Sequence, residues 1–238
     1  MNEIKTTIRN KLKEIESEFD VKIFYACESG SRAWGFESVD SDYDVRFLYH
    51  HRMDWYLSID TKKDVIEKPI SESLDINGWD IRKVLSLLRK SNPPLLEWLQ
   101  SPIVYKEVDS TTNILKEIFP RYYSPRNCNY HYLHMAQGNF REYLQGESVR
   151  TKKYFYVLRP ILACRWIERF EKSVPMEFQK LVDETVDDKP LTEEIARLVA
   201  RKKCDEELDY APRIPVVRAG SKITFHSFKE LEKENNSN

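Results

Sequence analysis

Glu28–Tyr49, ESGSRAWGFESVDSDYDVRFLY, is the stretch on which the fold turns. The apolar run Val21–Ser29 (VKIFYACES) leads into Gly30-Ser31, and Asp44–His50 (DVRFLYH) has the composition of a second strand. A short loop-helix fits between them. Side chains alternate faces along a strand, so residues two apart share one. Asp42 and Asp44 are therefore spaced to present two carboxylates together, beside a small-residue loop. Adjacent carboxylates repel unless a cation neutralises them, and Mg²⁺ carrying nucleotide phosphates meets that need.

Working outward, Ile4, Ile8, Leu12, Ile15 and Phe19 recur at helical spacing and predict an amphipathic first helix. Asp64–Ile70 and Ser73–Trp79 read as two strands joined by a short turn after Pro69. Asp80 caps a helix over 81–90, with Ile81, Val84, Leu85 and Leu88 on its buried face. Pro93-Pro94 opens another, because proline is tolerated in a first turn. This order predicts an α+β domain with a small mixed sheet, over 1–108. From Asn113 onward only helices are expected, around 113–119, 129–145, 151–171, 177–182 and 191–206, forming an all-helical domain over 109–238. Tyr210–Thr224 reads as a proline-containing extended linker, and Ser227 as the cap of a last short helix.

Composition bounds the partners. Of 238 residues, 41% are hydrophobic and 32% charged, and the formal net charge is -1, so bulk charge does not decide for or against a nucleic acid. Arg121–Phe170 is locally basic, with nine Lys or Arg against three Glu. Cys27, Cys128, Cys164 and Cys204 are scattered without a CxxC pair, which argues against a disulfide framework. The charged N-terminal stretch lacks the apolar core of a signal peptide, and no apolar run approaches a membrane span. A reducing cytoplasm is the expected setting.

Nucleotidyl transfer asks for carboxylates that hold one metal on the NTP phosphates and another near the attacking hydroxyl. It also asks for close backbone approach to phosphate, which Gly30 permits, while Ser31 adds a hydroxyl and Arg32 a positive charge. The ordered set Gly30-Ser31, then Asp42-Tyr43-Asp44, resembles the hallmark of the DNA polymerase β-like nucleotidyltransferase superfamily. Further matches, DINGWDIRKVLSLLRKSNPPLLEWLQSPIVY and KKYFYVLRPILACRWI, are similar to its RlaP/YcgL-like branch of RNA-repair type, over roughly Ile4 to Leu181. The resemblance implies Mg²⁺ or Mn²⁺ as cofactor, an NTP such as ATP as substrate, and a third acidic ligand on a neighbouring strand. Asp75 in Leu-Asp-Ile and Asp80 in Trp-Asp-Ile both fit. Asp75 is favoured, because an N-cap role already accounts for Asp80. In this superfamily the helical domain often closes one side of the nucleotide cleft, which makes Lys152, Lys153, Tyr154 and Arg159 candidates for triphosphate or RNA-phosphate contacts.

Plainer readings stand beside these. Gly30-Ser31 could be an ordinary turn with a serine cap, and Arg32 could pair with Glu28 or Glu37. Arg46 shares the face of Asp44 and could neutralise it or contact phosphate. Cys128-x-x-His131-x-x-His134 looks like a metal triad, but residues six apart on a helix drift apart and no second pair completes a tetrahedron. For the acceptor, an RNA 3′ end in repair or tailing is favoured, a protein hydroxyl (AMPylation) is the nearest rival, and a non-catalytic nucleotide- or RNA-binding module is the alternative outside enzymes.

Overall fold

The computed structural model describes residues 2–69, 73–204, 210–212 and 214–215. They fall into two compact units. One comprises Met1–Trp34 and Ser41–Ser124, and the other Gly35–Asp40 and Pro125–Asn238.

The first unit runs α1 (Asn2–Phe19), β1 (Lys22–Glu28), α2 (Gly30–Trp34), β2 (Tyr43–His50), α3 (Met53–Tyr56), β3 (Val65–Glu67), β4 (Leu74–Asp80), α4 (Ile81–Arg89), α5 (Pro93–Trp98), β5 (Val104–Glu107) and α6 (Asp109–Tyr122). Its five strands form one sheet in the order β3-β4-β2-β1-β5. β2 and β4 are parallel, and the other neighbours are antiparallel, so the sheet is mixed as expected. Alternation divides its faces. Val45, Phe47 and Tyr49 of β2 join Leu74 and Ile76 of β4 in one buried cluster with Ile8, Leu12 and Ile15 of α1. Each such aliphatic side chain taken from water is worth about 2 kcal/mol, which fixes which face of β2 turns inward. Gly78 lies opposite Phe47 in the register, and a Cβ there would come within 2.2 Å of the Phe47 ring. Glycine is what lets that ring lie flat against β4.

On the opposite face, Trp79 stacks on Trp98 of α5 with ring centroids 3.8 Å apart, and the Tyr25 hydroxyl donates to the Trp98 carbonyl at 2.6 Å. Helices thus cover the end of that face carrying Tyr25 and Trp79. The end carrying Asp44, Arg46 and Asp75 is the site described below.

The second unit contains α7 (Pro125–Tyr143), β6 (Ser148–Arg150), α8 (Thr151–Phe170), α9 (Phe178–Thr185), α10 (Lys189–Lys203) and β7 (Tyr210–Pro212). α8 is its centre, with thirteen of its residues buried from Thr151 to Ile167. Phe36, in the short segment between the two halves of the acidic motif, packs here: its ring stacks on Phe155 at 4.5 Å and meets Phe178 edge-on at 5.1 Å.

Several expectations are corrected. The part after residue 113 is not purely helical, because β6 pairs antiparallel with β7, and a strand of three residues leaves little periodicity to read. β5 and α3 are additional elements in the first unit. Leu85 is 46% exposed and not on the buried face of α4, whose inward residues are Val84 and Leu88. The units divide between Ser124 and Pro125, later than the expected division after residue 108. α6 stays with the sheet because Val108 donates to the Phe24 carbonyl at 2.8 Å and Leu115 is buried. The turn after Pro69, most of the 210–224 linker, the last two residues of the 191–206 helix and the helix capped by Ser227 lie outside the described residues. No helix among the described residues is long and apolar enough to cross a membrane.

Candidate active site

Strand directions assemble the site. β1 and β2 are antiparallel, so the end of β1 lies beside the start of β2. β2 and β4 are parallel, so both begin at the same edge, and the register sets Asp44 directly beside Asp75. Register partners present their side chains to the same face. The two carboxylates are therefore neighbours because of strand pairing, although thirty residues separate them in sequence.

Arg46, next along that face, ties them together. Its Nη2 donates to Asp75 Oδ2 at 2.7 Å and to Asp44 Oδ1 at 3.1 Å. Its Nη1 donates to the carbonyls of Val45 and Asp75, both at 3.1 Å. The three side chains are half-buried, at 14% exposure for Arg46, 29% for Asp44 and 27% for Asp75. Burial pushes the Asp44 carboxyl above its ordinary range. Arg46 pulls it down, and the charges of Asp75 and Asp42 push it up further.

Gly30 closes the other side. It opens α2 with φ +60, and a Cβ on it would stand 2.0 Å from Asp44 Oδ2. Glycine is required twice, for the left-handed backbone and for the approach of the carboxylate. Ser29 N–H donates to the Asp44 carbonyl at 2.8 Å, which locks the turn to β2. Ser31 follows, half-buried, in the first turn of α2.

Arg32 pairs with neither Glu28 nor Glu37 by a direct bond. Its Nε donates to the Asp42 carbonyl at 3.2 Å, its Nη2 to the Ser41 carbonyl at 2.6 Å, and its guanidinium lies 3.7 Å over the Tyr43 ring. It braces the chain that delivers Asp42 and Asp44. Asp42 is exposed.

Behind the site stands Glu28, which sequence reasoning missed as a functional residue. It is fully buried at the end of β1. Its Oε1 accepts from the Asp44 N–H at 2.7 Å and its Oε2 accepts from the Tyr105 hydroxyl. Ser101 Oγ donates to its carbonyl at 2.6 Å. Burial pushes its carboxyl up to about 7, against the downward pull of the two donated hydrogen bonds. The signal in the sequence was a carboxylate ending an otherwise apolar strand.

Asp80 is elsewhere. It has no exposed surface, caps α4 by accepting from the Arg82 N–H at 2.9 Å, and accepts from the Tyr56 hydroxyl at 2.7 Å. Both oxygens serve structure.

The donor set Asp42, Asp44 and Asp75 is all oxygen, which suits a hard divalent cation. Among the described residues no three His, Cys, Asp or Glu side chains are gathered as a metal cluster. The chemistry fits, but Arg46 already supplies the positive charge between Asp44 and Asp75. The Cys128, His131 and His134 set is split: Cys128 is buried, whereas both histidines are exposed on α7.

Of the basic residues on α8, Lys152 and Lys153 are half-buried near its start, with Lys153 Nζ 3.8 Å from the Tyr143 ring centroid. Tyr154 and Arg159 are corrections. Tyr154 is buried and its hydroxyl accepts from the Ile214 N–H at 2.9 Å. Arg159 is buried and donates to the carbonyls of Pro175 and Met176, both at 3.3 Å. On a helix buried around most of its circumference these positions turn inward, so they hold the unit together and leave the phosphate-contact set.

The chain is similar to known proteins in three respects. A family model described as RNA repair pathway DNA polymerase beta family, RlaP, matches residues 4–238. The chain is 50% identical over 231 residues to "Uncharacterized protein YcgL" of Bacillus subtilis (strain 168), an alignment covering 97% of this chain and 89% of that protein. The crystal structure of a nucleotidyltransferase-like protein from Exiguobacterium sibiricum 255-15 aligns with 92% of this chain and 75% of that one, at 11% identity and a TM-score of 0.36, a level that carries no argument.

Proposed function

Because the chain belongs to the RNA repair pathway DNA polymerase beta family, and is on that ground a nucleotidyltransferase, we propose that it moves an NMP from an NTP to an acceptor hydroxyl, with Asp42, Asp44 and Asp75 as ligands of Mg²⁺ or Mn²⁺. The observation that carries this reading is the parallel register of β2 and β4, which sets Asp44 beside Asp75, with the Gly30 turn close against Asp44. A divalent cation bound there supplies charge neutralisation for the attacking and leaving oxygens of an in-line displacement.

The chain's own groups do the rest. Gly30 and Ser31 present a close-approach turn and a hydroxyl to the β- and γ-phosphates. Asp75 accepts the proton of the acceptor hydroxyl as its oxygen bonds to the α-phosphorus. The α–β bridging P–O bond breaks and pyrophosphate leaves. Arg32 and Glu28 hold the backbone of Asp42 and Asp44 in place. Lys152 and Lys153 place positive charge on the helical unit, of a kind suited to the phosphates of a nucleotide or an RNA. The words RNA repair in the family's description favour an RNA acceptor, and ATP is the donor we propose. A protein hydroxyl is the second reading.

The test is incubation of the purified protein with each α-³²P-labelled NTP, Mg²⁺ or Mn²⁺, and a mixed RNA and protein extract, beside Asp42→Asn. Label on RNA with wild type alone is the expected result. Label on protein moves the acceptor to a polypeptide, and equal transfer by Asp42→Asn overturns the metal-ligand assignment.

A further inference from the structure

Arg46 has two ends with different attachments. Nη1 is held by the backbone carbonyls of Val45 and Asp75, which stay in place as long as the sheet does. Nη2 is shared between the carboxylates of Asp44 and Asp75. The guanidinium therefore pivots on the sheet and lays a fixed positive charge where a divalent cation would bind. Resting on the nucleotidyltransferase reading, we infer that Arg46 is a resident counter-ion that competes with the metal and makes metal binding depend on the triphosphate.

The charges give the reason. Two carboxylates with one guanidinium carry a net charge of −1, so the pocket is held together without metal. A divalent cation arriving alone must break two charge-assisted hydrogen bonds and then sit beside a positive group that its Nη1 bonds keep close. A cation arriving on a triphosphate brings its own anions. The phosphate oxygens then accept from Nη2, and the displaced guanidinium keeps partners. The consequence is positive coupling: metal and nucleotide each bind better in the other's presence. Arg46 acts first on the carboxylates and then on the bound phosphates, so its signature lies in the coupled binding equilibria of metal and nucleotide.

The experiment is titration of Mn²⁺ into wild type, Arg46→Met, Arg46→Gln and Arg46→Lys, read by the EPR signal of free Mn²⁺, with and without an α,β-methylene NTP analogue. Circular dichroism identifies the folded variants, and Arg46→Gln or Arg46→Lys carries the comparison if the methionine variant does not fold. Wild type is expected to bind Mn²⁺ weakly alone and strongly with the analogue. Removing the competing hydrogen bonds is expected to tighten Mn²⁺ binding without nucleotide by about tenfold. The coupling to the analogue should shrink correspondingly, and Arg46→Lys should fall between. Adding Asp75→Asn to Arg46→Met should undo the gain. Mn²⁺ binding that is no tighter without Arg46 overturns the inference. Absence of transfer from any labelled NTP would instead count against the nucleotidyltransferase reading, and the Mn²⁺ comparison would still decide the role of Arg46.

Discussion

Asp75 and Asp80 lie near the two ends of β4, each preceded by a large apolar residue and followed by isoleucine. Each also has an arginine nearby, with Arg46 Nη2 at 2.7 Å from Asp75 and Arg82 Nε at 3.7 Å from Asp80. Five positions apart, they have opposite parity on the strand and so opposite faces. Asp75 shares the face of Asp44 and keeps about a quarter of its side chain in solvent. Asp80 pairs with Tyr49 in the register, is sealed from solvent, and gives its oxygens to Arg82 N–H and the Tyr56 hydroxyl. A carboxylate whose oxygens are committed to fixed donors inside the protein builds structure. One held by a side-chain donor that a ligand can replace is available for chemistry.

Exchanging the damage is the sharpest way to break this comparison. Asp75→Asn should lower kcat by a factor of about 100 to 1000, since it removes the proposed metal ligand and proton acceptor. Its melting temperature should stay near that of wild type, because the relieved repulsion with Asp44 offsets the weakened bond from Arg46. Asp80→Ala should do the reverse, costing about 2–3 kcal/mol of stability through the lost cap and the stranded Tyr56 hydroxyl. Urea unfolding measures that loss, and kcat per folded molecule should change little. A stable, inactive Asp80→Ala would reverse the assignment of the two residues.

Gly30→Ala tests the wall behind Asp44. The added methyl must displace the carboxylate or the turn, and the left-handed backbone costs about 1 kcal/mol more for alanine. Lower stability and weaker metal binding should appear together, measured by thermal melts and Mn²⁺ titration. Normal metal binding in a folded Gly30→Ala would mean that Asp44 is not held against the turn.

The smallest effect concerns pH. Glu28 has its folded-state pKa raised from an ordinary 4.5 to about 7, so the native state holds a proton that the unfolded chain has lost. Its contribution to stability is full below about 4.5 and disappears as pH rises through about 7. Glu28→Gln should flatten that decline in urea midpoints between pH 4.5 and 7.5. An unchanged pH slope would show that Glu28 is ionised throughout.

Much of this was legible in the sequence because it is local. The alternating run of β2, the Gly30-Ser31 turn and the Asp42-x-Asp44 spacing each fit within a few residues, and the cap at Asp80 is a one-residue signal. What was not legible depends on pairing. The contact of Asp75 with Asp44, the bridge by Arg46 and the bond from Tyr105 to Glu28 all require the strand order, which spacing does not encode. Tyr154 and Arg159 were misread for a related reason. A basic and aromatic run looks like a binding surface until the helix that carries it is known to be buried on nearly every side. Arg32 sits one residue from a phosphate-suited turn, and only its bonds to Ser41 and Asp42 reveal a brace.

The most direct test of the account is pyrophosphate release from NTP and Mg²⁺ by wild type, Asp75→Asn and Asp80→Asn, with the acceptor found by labelling and each rate divided by the folded fraction. The account predicts release by wild type, near-complete loss in Asp75→Asn, and a rate close to wild type for folded Asp80→Asn. Release by Asp75→Asn at the wild-type rate would contradict it.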